Sequence, residues 1–210
     1  MDLLPLKKDK IHSQRMDISS LVHHIRQYVS LADDEAPILR AHFNLVEVKK
    51  KTNLLIEGQI CKASFFVEKG CLRQFFIDKK GNEQITQFAI ENWWMADYMS
   101  LGKQAPSSFY IQAVEPTILW SLGWQAQEKL SHALPQMERY FRLILQQAYA
   151  ASQLRLKYLY DLSREELYHH FSSQFPAFMQ RIPQYMLASF LGFTPEYLSE
   201  IRKKEANINR

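Results

Sequence analysis

The run Ile182-Pro183-Gln184-Tyr185-Met186-Leu187-Ala188-Ser189-Phe190-Leu191-Gly192-Phe193-Thr194-Pro195-Glu196-Tyr197-Leu198-Ser199-Glu200-Ile201-Arg202 decides how this chain is read. Pro183 opens a short helical pattern that ends at Leu191, and Gly192 supplies the residue that most readily takes the left-handed conformation at a helix C-terminus. A second helix starts at Thr194 with Pro195 in its first position and continues through Arg202-Lys203-Lys204. Two short helices joined by Leu191-Gly192-Phe193 make a helix-turn-helix pattern, in which small Ala188 lets the helices approach closely. Phe193, Leu198 and Ile201 should pack inward. Gln184, Thr194, Pro195, Glu196, Tyr197, Ser199, Glu200, Arg202, Lys203 and Lys204 are left as outward or flanking positions, the candidate DNA-contacting set. A helix laid in the major groove reads base edges from its N-terminal outward residues, while its flanks hold phosphates. In that setting Glu196 is suited to accept from a cytosine amine, and Arg202, Lys203 and Lys204 to neutralise phosphates.

Upstream, Ser163 with Glu166 three residues later forms a capping box, and the helix it opens runs to Phe175-Pro176. Residues 163–210 carry six Lys or Arg against five Asp or Glu, a net of +1, so charge alone does not mark them as a DNA binder. Before them, Met137, Phe141, Ile144, Ala148, Ala151, Leu154 and Tyr158 recur in steps of four and three. That period predicts one long helix over 134–162, either pairing with a second copy as a dimerisation helix or covering the rest of its own chain. Between Val46 and Leu122 the pattern changes to short apolar stretches separated by turns. Strands are expected at Leu54–Ile56, Ser64–Val67, Leu72–Ile77, Gln84–Phe88, Phe109–Val114 and Thr117–Ser121, the spacing of an antiparallel sandwich or roll. Helical spacing returns at Leu21, Val22, Ile25, Tyr28 and Val29, and again from Asp33 to Phe43. Residues 1–17 read as a polar leader without an apolar export core, which places the chain in the cytoplasm as an expectation.

Composition narrows the function classes. The 210 residues are 47% hydrophobic, 13% aromatic and 23% charged, with a net charge of +4, and no apolar run reaches the roughly 18 residues of a membrane span. The two cysteines, Cys61 and Cys71, are too few for a disulfide framework and lack zinc-site spacing. None of the seven histidines lies between Phe43 and Ser131, so no strand-borne histidine metal site is expected. His23-His24 and His169-His170 point about 100° apart on their helices and do not chelate as i, i+4 pairs would. No Gly-x-Ser-x-Gly, phosphate-binding Gly-rich loop or His-Glu-x-x-His occurs, so the chain reads as no enzyme, with no cofactor and no metal.

The whole layout resembles the Crp/Fnr transcription regulators. The resemblance rests on the Leu54-Leu55-Ile56-Glu57-Gly58-Gln59 run, then Phe65-Phe66-Val67-Glu68-Lys69-Gly70-Cys71-Leu72-Arg73, the long helix, and Leu191-Gly192-Phe193-Thr194-Pro195-Glu196. It implies an α+β chain: a cyclic-nucleotide-binding-like β-roll (a double-stranded β-helix or jelly roll) over 18–133, a dimerisation helix over 134–162, and a helix-turn-helix domain over 163–210. It further implies a homodimer on a palindromic double-stranded DNA operator, RNA polymerase as a further partner, a small-molecule effector of unknown identity, and no membrane. Cyclic-nucleotide-binding members of the family hold ribose and phosphate with a Gly-Glu pair and an Arg-Ser or Arg-Thr pair. The matching positions here are Ala96-Asp97 and Ser107-Ser108, so the phosphate-pairing arginine is missing and cyclic AMP is not expected to bind. Trp93, Trp94 and Tyr98, with Phe109 and Tyr110, either line an apolar cavity for another ligand or pack the roll. In the recognition helix, positions commonly arginine in the family are Pro195 and Glu200, so a different operator is implied, and no winged hairpin is expected after Lys204. The alternative to DNA binding is a dimeric sensor or scaffold whose C-terminal helices bind a protein partner.

Overall fold

Leu21, Val22 and Ile25 share one face of helix α1 (Ser19–Arg26), and burying that face fixes the start of the fold. The computed structural model describes residues 17–208, so the polar leader, up to Met16, lies outside the described residues. A 3-10 turn at Asp33–Glu35, its acids crowded at the helix start where the backbone dipole favours them, leads into α2 (Ala36–His42).

Eight strands follow: β1 (Asn44–Val48), β2 (Asn53–Leu55), β3 (Ala63–Lys69), β4 (Leu72–Ile77), β5 (Glu83–Ala89), β6 (Trp94–Met95), β7 (Tyr110–Ala113) and β8 (Thr117–Gly123). They form two four-stranded antiparallel sheets, in the orders β1-β8-β3-β6 and β2-β7-β4-β5. The six expected strands are present within one or two residues at their ends. The structure adds β1, whose Leu45 and Val46 are only half-buried, and the two-residue β6. Leu55, Phe65, Val67, Leu72, Met95, Ile111 and Leu119 fill the space between the sheets with almost no exposure. Helix α3 (Tyr98–Lys103) lies between β6 and β7, and α4 (Trp124–Ala133) leaves β8.

The long helix α5 runs from Gln136 to Asp161. Its N-terminal third closes a second core with α1 and α2, in which the Tyr140 hydroxyl accepts from Trp94 Nε1 at 2.8 Å and shares a hydrogen bond with His24 Nδ1, also at 2.8 Å. Burial, with His23 beside it, lowers the His24 pKa and so favours the neutral ring.

Four helices complete the chain: α6 (Arg164–Gln174), α7 (Pro176–Arg181), α8 (Gln184–Leu191) and α9 (Pro195–Ile208). The Ser163–Glu166 capping box is formed as read, and Gly192 takes φ 76° between α8 and α9. Helix α7 was not anticipated. It delivers Arg181 to the roll, where the guanidinium holds Glu91 through two bonds of 2.8 Å and also grips Glu115. Ile182, Met186, Phe178 and Phe190 bury themselves against Phe75, Ile85, Phe88 and Val114 of the roll. The Ser189 hydroxyl accepts from Ile85 N–H at 3.0 Å and donates to the Glu83 carbonyl at 2.7 Å. Helix α8 is thereby seated along the edge strand β5.

Candidate effector pocket and nucleic-acid interface

The candidate pocket of the roll is bounded by α3 and the segment before β7. Asp97 caps α3, its Oδ1 accepting from the backbone N–H of Met99 and of Ser100 at 3.1 Å each. Its other oxygen accepts from the Ser107 hydroxyl at 2.6 Å, with both residues buried. Ser107 in turn exchanges backbone bonds with the preceding turn: its carbonyl accepts from Gly58 N–H and its N–H donates to the Gln59 carbonyl, each at 2.8 Å. The Ser100 hydroxyl accepts from Cys61 N–H at 2.9 Å. Asp97 and Ser107, where the resemblance would place nucleotide contacts, therefore bond to each other. The donors at the start of α3 already carry a carboxylate, and an incoming phosphate would meet that negative charge without a guanidinium to offset it.

The remaining candidates for this pocket separate. Ala96 is buried in the core between the sheets, while Trp93 is 48% exposed and Ser108 is exposed. Trp94 packs against Phe43, Phe66 and Phe141, as core. Tyr110 stacks on Phe75 and Phe109 meets Phe76 edge-on, both on the other sheet. The five aromatics thus do not share one cavity: Trp93 is exposed, Trp94 is core, and Phe109 and Tyr110 pack on Phe76 and Phe75. Trp94 and Tyr98 do line an apolar recess of about 230 Å³ with Leu101, Trp124, Phe141 and Leu145. It lies between α3, α4 and α5, outside the core between the sheets.

Cys61 and Cys71 are both buried, and desolvation raises their thiols, Cys71 to about 12, which disfavours the reactive thiolate.

The C-terminal helices α6–α9 have their own core of Leu167, Tyr168, Leu187, Ala188, Leu191, Phe193, Leu198 and Ile201. The turn is closed by Phe193 N–H on the Ala188 carbonyl at 2.8 Å. Thr194 caps α9, its hydroxyl accepting from Tyr197 N–H at 3.3 Å. Gln184, Thr194, Pro195, Glu196, Glu200, Arg202 and Lys203 are exposed. Tyr197 and Ser199 are half-buried, with the Tyr197 ring against Phe193 and beneath Arg164. Lys204 pairs with Glu165 at 3.0 Å, so its charge is partly engaged within the unit.

On α5, the stripe read from the sequence divides. Met137 is fully buried in its own chain, Phe141 and Ile144 pack on that core, and Tyr158 lies 4.4 Å from the His170 ring. Only Ala148, Ala151 and Leu154 are exposed. A neighbouring stripe was missed: Leu145, Tyr149, Leu156 and Leu159, 40–65% exposed, which with Ser152 also follow steps of four and three. Two apolar stripes one residue apart cannot be ranked by period; the packing of α5 on α1 and α4 decides which one is left outside.

Residues 45–132 match the cyclic nucleotide-binding domain family. The chain is similar to the c-di-GMP-responsive global regulator CLP of Xanthomonas campestris, with a TM-score of 0.68 and 13% identity over 85% of this chain and 93% of that one. FixK2 of Bradyrhizobium japonicum gives a TM-score of 0.66 and 15% identity over 80% and 86% of the two chains. The catabolite activator protein of Thermus thermophilus gives 0.54 and 21% over 87% of each. No curated protein matches the sequence significantly. The chain has the fold of the Crp/Fnr-type regulators. The Asp97–Ser107 contact and the Arg181 latch on Glu91 and Glu115 are made by this chain's own residues. No helix among the described residues is long and apolar enough to cross a membrane, and no group of three metal-ligating side chains is found among them.

Proposed function

We propose that this chain is a DNA-binding transcription regulator that acts as a homodimer on a palindromic operator and does not respond to cyclic AMP. The observation that carries the reading is the exposed first turn and outer face of α9, with Thr194, Pro195, Glu196, Glu200, Arg202 and Lys203 unobstructed on a unit whose inner residues are packed. A helix presented in this way enters a major groove, with Glu196 and Glu200 placed to accept from exocyclic amines and the basic end to hold phosphates. The exposed Leu145, Tyr149, Ser152, Leu156 and Leu159 stripe, extended by Ala148, is the seam for the second copy.

Selection of bound duplexes from a random pool, without added nucleotide and at two salt concentrations, tests the reading. An inverted repeat with half-sites about one helical turn apart is the expected outcome. No enrichment at either salt overturns it and leaves a protein partner for the C-terminal helices. Calorimetry with cyclic AMP is expected to give no binding heat up to millimolar ligand; a micromolar site would refute the closed-pocket part of the proposal.

A further inference from the structure

Strand β3 turns Phe65 and Val67 into the core between the sheets, so its alternation sends Ser64 and Phe66 to the outer side, toward the helices. There Ser64 lines the recess of about 230 Å³ between α3, α4 and α5. Four rings bound this space, those of Trp94, Tyr98, Trp124 and Phe141, and no charged side chain among the described residues lines it. A gap walled by rings forfeits the dispersion contacts that a filled core supplies. An apolar cavity of about 150 Å³ accepts benzene, so this one has room for a flat molecule of one or two rings.

The polar groups at the recess are poorly satisfied by the chain itself. Tyr98 is 41% exposed as a whole, yet burial raises its phenol to about 12, so the hydroxyl end lies inside and the outer edge of the ring in water. That hydroxyl has no hydrogen-bond partner among the described residues. Ser64 is 3% exposed, and its hydroxyl reaches only the Leu122 carbonyl, at a long 3.4 Å. The half-buried Gln127 amide is likewise without a partner among the described residues. Gly102 stands inside α3, where alanine would favour the helix, and nothing lies within 4 Å of the place its Cβ would take. Its effect is to keep the recess wide. One occupant repairs all of these costs: flat rings take the aromatic walls, and a single hydroxyl or ring N–H meets Tyr98, Ser64 or Gln127.

We propose that the recess between α3, α4 and α5 is a binding site for a small neutral aromatic molecule, a phenol or an indole of one or two rings. The site is separate from the Asp97–Ser107 position, and its occupant is neutral because nothing charged lines it. The molecule touches α3 of the roll and Leu145 of α5 together, and so joins the roll to the long helix at the first residue of the exposed stripe. Binding at this site does not depend on the DNA-binding reading.

Calorimetry of the full chain with indole should give one site per chain with a Kd on the order of 0.1 mM. Cyclohexanol, which carries a hydroxyl but no flat ring, should bind about 10-fold more weakly. Gly102→Met and Ser64→Leu each push a side chain into the recess and should abolish binding, with thermal melting as the check that the fold is kept. Where either fails to fold, Tyr98→Phe decides, because it deletes only an unbonded hydroxyl and should weaken indole about 5-fold. No saturable heat up to about 5 mM indole, far above the affinity expected for a ligand of this size, overturns the proposal. So does cyclohexanol binding as tightly as indole, or an affinity that none of the three substitutions changes. Indole binding that emerges only in Tyr149→Ala would make the recess a socket for a second copy of the chain, and would equally overturn it.

Discussion

Gly70→Ala is expected to cost roughly 4 kcal/mol or more and to leave little folded protein at 37 °C. Gly70 adopts φ 113°, and a Cβ built there would stand 2.5 Å from Thr117 Oγ1, 2.7 Å from its Cα and 2.8 Å from its Cβ. The backbone conformation alone costs on the order of 1–3 kcal/mol for a residue with a side chain. The contact with the Thr117 Cα adds more, because relieving it requires β8 to move and β8 is the strand between β1 and β3. Gly58→Ala separates the two causes. Gly58 has φ 84° but nothing within 4 Å of its absent Cβ, so only the conformational cost, about 1 kcal/mol, is expected. Urea denaturation of both variants checks this. Equal losses at the two positions would show that the Thr117 contact is relieved without cost.

Arg181→Met should destabilise the native arrangement by about 2 kcal/mol, seen as a fall of about 4–8 °C in melting temperature. The guanidinium joins two carboxylates of the roll, Glu91 and Glu115, and its removal leaves them facing each other. Glu91 is held down to about 2 from its ordinary 4.5, first by the Arg181 hydrogen bonds and further by the Gly70 N–H. That shift taken at face value is about 3 kcal/mol, reduced here because Glu91 is 35% exposed and water screens the pair. A depressed carboxylate stabilises the fold above its unfolded pKa and loses that contribution as pH falls toward the folded value. The wild-type and Arg181→Met stabilities should therefore differ most above about pH 4.5 and converge between there and about pH 2. A constant difference across that range would show that Arg181 acts by packing alone.

The parts of the fold legible in the sequence are those with a local cause. Gly192 and the Ser163–Glu166 box terminate and start helices by chemistry confined to a few neighbours, and both are formed. The strands at Leu72–Ile77 and Gln84–Phe88 are bounded by a turn rich in glycine, asparagine and aspartate. Strands β1 and β6 were not legible, since β1 alternates weakly and β6 exists only because Trp94 and Met95 fit beside Phe65 and Phe66. At the pocket, the loss of arginine at Ser107 could be read from residue identity. That Ser107 would bond directly to Asp97 depends on how α3 meets the segment before β7, which no periodicity encodes. The Arg181 latch spans 90 residues to Glu91 and 66 to Glu115, and lone charged residues at such separations give no pairing signal.

As the last strand of its sheet, β5 would present a row of unpaired backbone groups, which is a template for adding a strand from another molecule. The Ser189 hydroxyl occupies both Ile85 N–H and the Glu83 carbonyl, and Arg155 takes the Thr86 carbonyl at 3.0 Å. The C-terminal helical unit is thus also the guard of the sheet. Any change that lifts α8 away uncovers a sticky strand, so loss of that seat should be followed by clumping of the protein rather than by a freely swinging domain.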